Sequence, residues 1–340
     1  MDDVARAARV SKQTVSAVIN DKPGITEQTR FRVRAAIAQL DYHTNFFASS
    51  LRAQRSFTIG VLIPSITNPF FPEFVRGIED VAQKHGYSLF LCNSDDDPQK
   101  ATAYLHLLRR HRIAGLIAAF QPRNPEGHNV LQSFLAHHVP VVLMGSRQPH
   151  ENIVMVTEDD EQGTFLVTSH LLDLGHRRIG MITPPLGSEV EKNRVAGFLK
   201  AHSARSIQVA PELLVTGGFD VPDGQHGVTA LMRLPKPPTA IVAANDLVAI
   251  GALNALRHLK KRVPEEMAVV GYDNIRMAEL FNPSITTIAQ PLYDMGEAAM
   301  GAVLARINHR ELRGEIIRFQ TRLIVRASSV GHHKFPPVKN

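Results

Sequence analysis

From about Phe57 onward, short apolar runs alternate with segments of helical spacing, and the alternation occurs twice. Thr58-Ile59-Gly60-Val61-Leu62-Ile63, Ser88-Leu89-Phe90-Leu91-Cys92, Ala114-Gly115-Leu116-Ile117-Ala118 and Pro140-Val141-Val142-Leu143-Met144 read as strands, with helices at 71–85 and after Pro98. The series restarts with helices over 160–174, 190–203, 222–233, 246–259 and 291–308. Strands at 178–182, near 213–216, at 239–243 and at 268–272 are interleaved with them. The strand runs are apolar on both faces, as parallel strands covered by helices must be. Two successive series predict two similar α/β lobes, each a doubly wound parallel sheet, with a cleft between them.

A small all-α head precedes this body. Ser11 stands where a helix N-cap should, its hydroxyl able to accept a backbone N–H of the first turn. In the helix that follows, Val15, Val18 and Ile19 share one face, while Gln13, Ser16, Ala17 and Asn20 fall opposite. Upstream, Val4, Ala5 and Ala8 give a short first helix. Downstream, Val33, Ile37 and Leu40 repeat behind Thr26, a second N-cap. The polar outer face suits a DNA major groove, although a three-helix cap with no partner would share the pattern. Residues 1–56 carry nine Lys/Arg and five Asp/Glu, so most of the chain's net charge of +6 sits where phosphates would be met.

The run Asp3-Val4-Ala5-x-x-Ala8-x-Val10-Ser11-x-x-Thr14-Val15-Ser16-x-Val18-x-Asn20 closely resembles the LacI/GalR family of bacterial transcription regulators. The resemblance continues through Thr29-Arg30, Leu40-x-Tyr42 and Asn45-x-x-Ala48-x-x-Leu51, then along nearly the whole body, which resembles a periplasmic-binding-protein-like core. It implies that Lys12, Gln13 and Ala17 face bases, and that Ser11, Ser16, Asn20, Thr26 and Thr29 cap the head's helices or meet phosphates. Residues 45–51 match the hinge helix. Asn45 and Ala48 belong to its pattern, and Leu51 would wedge between base steps in the minor groove. The domains implied are a helix-turn-helix head over 1–44 and a hinge over 45–56. A first lobe over 57–157 plus 291–320, a second over 158–290 plus 321–330 and a tail over 331–340 follow. Arg9 departs from the family's usual Gly at a turn that favours left-handed backbone. Ala17 replaces a frequent Arg, Thr44 a common Pro, and Phe46 a frequent basic residue. Relatives usually carry several residues before Met1, so the chain is expected either to start upstream or to grip DNA less firmly.

Ligands of open parallel sheets bind beyond the carboxyl ends of strands. The loops there offer Phe70 and Phe71, Asn93-Ser94-Asp95, Arg147, Arg194, Phe219, Asn245, Asp246 and Asp273. Carboxylates and guanidinium groups pair with adjacent sugar hydroxyls, and aromatic faces cover the C–H side of a ring. Asp273, Arg194, Phe70 and Phe219 form such a set. Against them stand a capping role for Asp246, a core role for Phe71 and a solvated turn at Asp95–Asp97. Arg147 and Arg194 together hint at an acidic ligand.

The single Cys92 falls inside a strand, so a buried small hydrophobe is expected there. No N-terminal apolar segment resembles an export signal. No metal-binding His-Glu-x-x-His, nucleophile elbow or P-loop is present in the sequence, and no catalytic residue, metal or cofactor is expected. The leading expectation is a cytoplasmic repressor, a homodimer or homotetramer. It would bind a near-palindromic DNA operator and answer to a sugar-like effector between the lobes. A solute-binding protein and an enzyme on an open sheet are the alternatives.

Overall fold

Two compact units, Met1–Phe57 and Thr58–Asn340, divide the chain. The structure is a computed structural model that describes residues 1–19, 21–42, 56–119, 124–145, 151–308 and 314–330. Asn20, Arg147 and the hinge residues Asn45, Ala48 and Leu51 lie outside the described residues.

In the first unit, α1 (Asp2–Ala8), α2 (Lys12–Ile19) and α3 (Glu27–Gln39) enclose a core of small side chains: Val4, Ala5, Ala8, Val15, Val18, Val33 and Ala36. The Ser11 hydroxyl accepts the Thr14 backbone N–H at 3.1 Å, and the Thr26 hydroxyl accepts that of Thr29 at 3.4 Å. Both caps therefore form. Leu40, expected in the buried stripe, is instead 43% exposed, because α3 ends at Gln39 and Ala36 takes the buried position beside Val33. Arg9 adopts φ 52° and ψ 50°, the left-handed turn normally given to glycine.

The second unit holds two parallel sheets. The strands of the first are β1 (Thr58–Ile63), β2 (Ser88–Asn93), β3 (Gly115–Ala118), β4 (Val141–Met144), β5 (Ile153–Glu158) and β11 (Ile316–Phe319), in the order β11-β5-β4-β3-β1-β2. The second contains β6 (Ile179–Thr183), β7 (Leu214–Thr216), β8 (Ala240–Ala243) and β9 (Ala268–Val270), ordered β7-β6-β8-β9. Helices α4 (Phe70–Lys84), α5 (Pro98–Arg110) and α6 (Pro125–Ala136) follow strands of the first sheet. Helices α7 (Asp160–Asp173), α8 (Glu189–Ser203), α9 (Val221–Met232), α10 (Asp246–His258) and the short α11 (Arg276–Leu280) belong to the second lobe.

A third, antiparallel pair was not foreseen: β10 (Thr287–Ala289) with β12 (Arg322–Ile324). It continues the second lobe, since Thr286 and Ala289 bridge to Val270 and Asp273. Helix α12 (Leu292–Ile307) returns to the first lobe and packs on α4, where Gly77 and Gly296 let the two backbones meet. A Cβ on either would lie 2.2 Å from a carbonyl of the other helix. A final turn, α13 (Ala327–Val330), packs near β9. The chain thus passes between lobes three times, at 158–160, 289–292 and 319–322. Cys92 is buried, which pushes its thiol up to about 11. Among the described residues no helix is long and apolar enough to cross a membrane.

Candidate functional site

The α2 face of the head exposes Lys12 and Gln13, with Ser16 and Ala17 half-buried. Thr26 is exposed and Thr29 half-buried at the start of α3. Lys12 forms an exposed ion pair with Asp2, so a phosphate or base would compete with a carboxylate for it. The turn before α3 is braced by the mostly buried Arg30 side chain, whose Nη1 donates to Asp21 at 2.8 Å. These groups are chemically apt for a polyanion: exposed donors, held by caps and by one internal arginine.

The body concentrates its chemistry at the carboxyl ends of strands. After β1, the Asn68 side chain accepts the Phe70 N–H at 3.1 Å, and Phe70 and Phe71 stack edge to face, 4.9 Å between ring centroids. Both are half-buried against the first lobe's core. Asn93 accepts the Ile66 N–H at 2.8 Å and donates to Asp95 at 2.6 Å, while Asp97 caps α5. These polar groups brace their own loops.

After β8, the Asn245 side chain caps α10 by accepting the Val248 N–H at 2.9 Å, and donates to the Phe219 carbonyl at 3.0 Å. The half-buried Phe219 is thereby fixed beside α10. Asp246, considered as the cap from sequence, is instead the first helical residue and 0% exposed. Its carboxylate accepts the Ile275 N–H at 2.8 Å and the Thr287 hydroxyl at 2.6 Å. Both oxygens serve the chain, and Gly271 makes room for them, since a Cβ there would meet Asp246 Oδ1 at 2.2 Å. Burial pushes this carboxyl up to about 7, against the Thr287 and Ile275 hydrogen bonds, which favour the anion.

Arg194 and Asp273 meet in one buried cluster that sequence reading only half anticipated. Arg194 Nε donates to Asp160 at 2.8 Å, a second nitrogen donates to the Ala244 carbonyl, and the guanidinium lies 3.7 Å from the Tyr272 ring centroid. Burial opposes that charge, but Asp160, Tyr272 and Asp273 hold it well above the usual guanidinium range. Asp273 sits at φ 109°, its N–H bonded to the Ile288 carbonyl at 2.8 Å and its Oδ1 accepting Gln290 Nε2 at 2.8 Å. Burial, partly countered by Arg194 and reinforced by Asp246, Glu158 and Asp160, drives its carboxyl toward the neutral form. Tyr272 is locked over α7 at Gly163, where a Cβ would meet its hydroxyl at 2.3 Å.

Glu158, Asp160, Tyr272, Thr287 and Gln290 were not singled out from sequence. Glu158 and Asp160 had a usable signal, an acidic stretch at the carboxyl end of an apolar run. Gln290 had none, because it joins the cluster only through the second crossing between lobes.

Residues 1–45 match the family described as bacterial regulatory proteins, lacI family, and residues 168–329 match a periplasmic binding protein-like domain. The chain is 33% identical over 326 residues to the HTH-type transcriptional repressor PurR of Mannheimia succiniciproducens, covering 96% of this chain and 97% of that relative. It is 36% identical over 329 residues to the HTH-type transcriptional regulator RegA of Clostridium saccharobutylicum, covering 96% and 98%. The lac repressor dimer bound to operator and the anti-inducer ONPF aligns over 97% of this chain and 98% of that one, with a TM-score of 0.87 and 28% identity. A LacI family transcriptional regulator from Enterococcus faecium with bound ribose aligns over 80% and 98%, with a TM-score of 0.72 and 32% identity.

Proposed function

The chain belongs to the lacI family of bacterial regulatory proteins, and from that premise we propose that it is a DNA-binding transcriptional repressor whose hold on its operator is set by a small molecule bound between the lobes. In this reading residues 1–44 are the DNA-binding head and 45–56 the hinge. Residues 57–157 plus 291–320 form one lobe, and 158–290 plus 321–330 the other. Lys12, Gln13 and Ala17 face bases. Ser11, Ser16, Asn20, Thr26 and Thr29 fix the head on the backbone. Asn45, Ala48 and Leu51 act in the minor groove. The protein works as a dimer or tetramer in the bacterial cytoplasm, on the nucleoid when bound, and catalyses no reaction.

The effector, a sugar or sugar derivative, engages Arg194 and Asp273, with Phe70, Phe71 and Phe219 as apolar walls and Asn245 and Arg147 at the rim. Asp246 acts one step behind, holding the loop that carries Asp273. The observation that carries this reading is the position of the Arg194–Asp273 cluster on the crossings between lobes: Asp160 lies on the first and Gln290 on the second. A ligand that bonds to Asp273 therefore loads the segments about which the lobes turn. It changes operator affinity only by its difference in affinity for the two lobe arrangements.

Asp273→Ala is expected to abolish the effector response while the repressor still folds and binds operator. Titrating operator with and without effector checks this, and a normal response in the variant would sink the pocket assignment. Exchanging Lys12 or Gln13 is expected to change which base is preferred at one operator position. A uniform, purely salt-dependent loss would demote them to phosphate contacts.

A further inference from the structure

We infer that the cleft selects a ligand rich in O–H or N–H donors and carrying no net negative charge, which sets sugars, amines and N–H-bearing bases apart from sugar acids and sugar phosphates. The inference rests on the reading of Arg194 and Asp273 as the effector site.

One buried acceptor carries it. Gln290 Oε1 has no hydrogen-bond partner among the described residues, and its residue is only 8% exposed. The Gln290 amide is oriented by its Nε2 bond to Asp273 at 2.8 Å, so its carbonyl oxygen must receive a donor from elsewhere. A hydroxyl or an N–H supplies one. An ionised phosphate or carboxylate offers acceptors only and leaves that oxygen unmatched, a substantial loss in a buried site.

Charge points the same way. Arg194, the one cationic candidate among the described residues of the site, is already bonded to Asp160 and to the Ala244 carbonyl and stacked on Tyr272. Around Asp273 lie the carboxyl groups of Glu158, Asp160 and Asp246, all buried. Burial, which these carboxyl groups reinforce, drives Asp273 toward its neutral form, and their field opposes an incoming anion.

The helix N-termini at the strand ends, where anions ordinarily find N–H groups, are also supplied with acidic side chains. Asp159 accepts the Gln162 N–H at 3.0 Å at the start of α7, Asp223 closes the first turn of α9 against the Asp220 N–H at 2.9 Å, and α8 opens with Glu189 and Glu191.

The test is calorimetric titration of the full-length protein, at one ionic strength, with neutral compounds and their anionic counterparts. The pairs are ribose with ribose 5-phosphate, and glucose with glucose 6-phosphate and with gluconate; glucosamine, adenine and inorganic phosphate complete the set. The tightest binder is expected to be neutral or cationic, and to lose at least about tenfold in affinity in its anionic form. Inorganic phosphate should not displace it. An anionic member binding more tightly than its neutral parent overturns the inference and leaves the effector reading standing. If no compound of any class binds the body or alters operator affinity, the effector reading itself falls, and this inference with it. In Gln290→Leu the gap between neutral and anionic partners should narrow; an unchanged gap overturns the part assigned to that acceptor.

Discussion

The head and the body place their charged groups in opposite settings. In the head most charges stand in solvent over a core of valines and alanines with loose partners such as Asp2 beside Lys12, Arg30 with its bond to Asp21 being the exception. In the body the charges of the site are buried, and each is tied to another group across a long stretch of sequence, as Arg194 is to Asp160. An exposed charge keeps its water until a ligand takes its place, which suits a surface that must meet a polyanion and leave it again. A buried charge has lost its water already, so its energy depends on its neighbours and changes when they move. The difference predicts that changes in the cleft disturb stability and response together, while changes in the head disturb recognition with little effect on stability.

The largest effect tests the cleft side. Arg194→Ala leaves Asp160 buried without its cation, a defect worth about 3–5 kcal/mol, so the melting temperature of the body should fall by about 10 °C. Replacing both partners, Arg194→Met with Asp160→Leu, should recover most of that loss and still leave the protein unresponsive to effector. Thermal denaturation and operator titration separate the two outcomes. If the single variant melts like the native chain, the contrast between buried and exposed charge does not hold.

A pH series sharpens the same side. The Asp246 carboxyl is raised from 3.8 to about 7 by burial, so the folded form keeps a proton that the unfolded chain releases. The stability linked to that proton is full below about pH 4 and is lost as pH rises through about 7. Asp246→Asn removes the titration. The melting temperature of the variant relative to the native chain should therefore climb between those limits and level off above them. A constant difference would mean that Asp246 does not carry the proton.

The same contrast governs what could be read from the sequence. The head was legible in its caps, Ser11 and Thr26, because capping is local chemistry. Leu40 falls one residue past the end of its helix, because spacing alone does not say where a helix stops. In the body, β1, β2 and β8 announced themselves as apolar runs. Strand β5 lies fully buried in the first sheet yet gives a weak sequence signal, its four apolar residues running straight into Thr157, Glu158 and a helix cap. The β10–β12 pair was invisible: each strand is three residues long, and Thr287 finds Ile324 only after the chain has returned through α12. Of the site, Arg194 and Asp273 carried recognisable local patterns. Their partners Asp160, Tyr272 and Gln290 did not, since nothing but the crossings between lobes brings them together.

On the head side, the turn at Arg9 gives a smaller effect. A non-glycine residue held in the left-handed region costs about 1 kcal/mol, offset in part by the greater freedom that glycine has in the unfolded chain. Arg9→Gly should then stabilise the head by roughly 0.5 kcal/mol and slow amide hydrogen exchange in α1 and α2, with no change in the body. Faster exchange would mean that the arginine side chain holds the turn in a way its backbone angles do not reveal.

The smallest stability effect belongs to Lys12→Ala, and it bears most directly on the comparison. The Lys12 and Asp2 side chains are 63% and 61% exposed, and ion pairs of that kind add little to a fold. The melting temperature should stay within measurement error of the native value, the reverse of the result at Arg194. Operator binding should nevertheless weaken, and more at one base pair than at the others, if Lys12 meets the edge of a base as proposed. Removing Asp2 instead, as Asp2→Ala, should release Lys12 from its partner and strengthen binding to any duplex, with a steeper dependence on salt. If Lys12→Ala lowers the melting temperature as Arg194→Ala does, the head depends on its charges in the way the cleft does, and the division between the two regions fails.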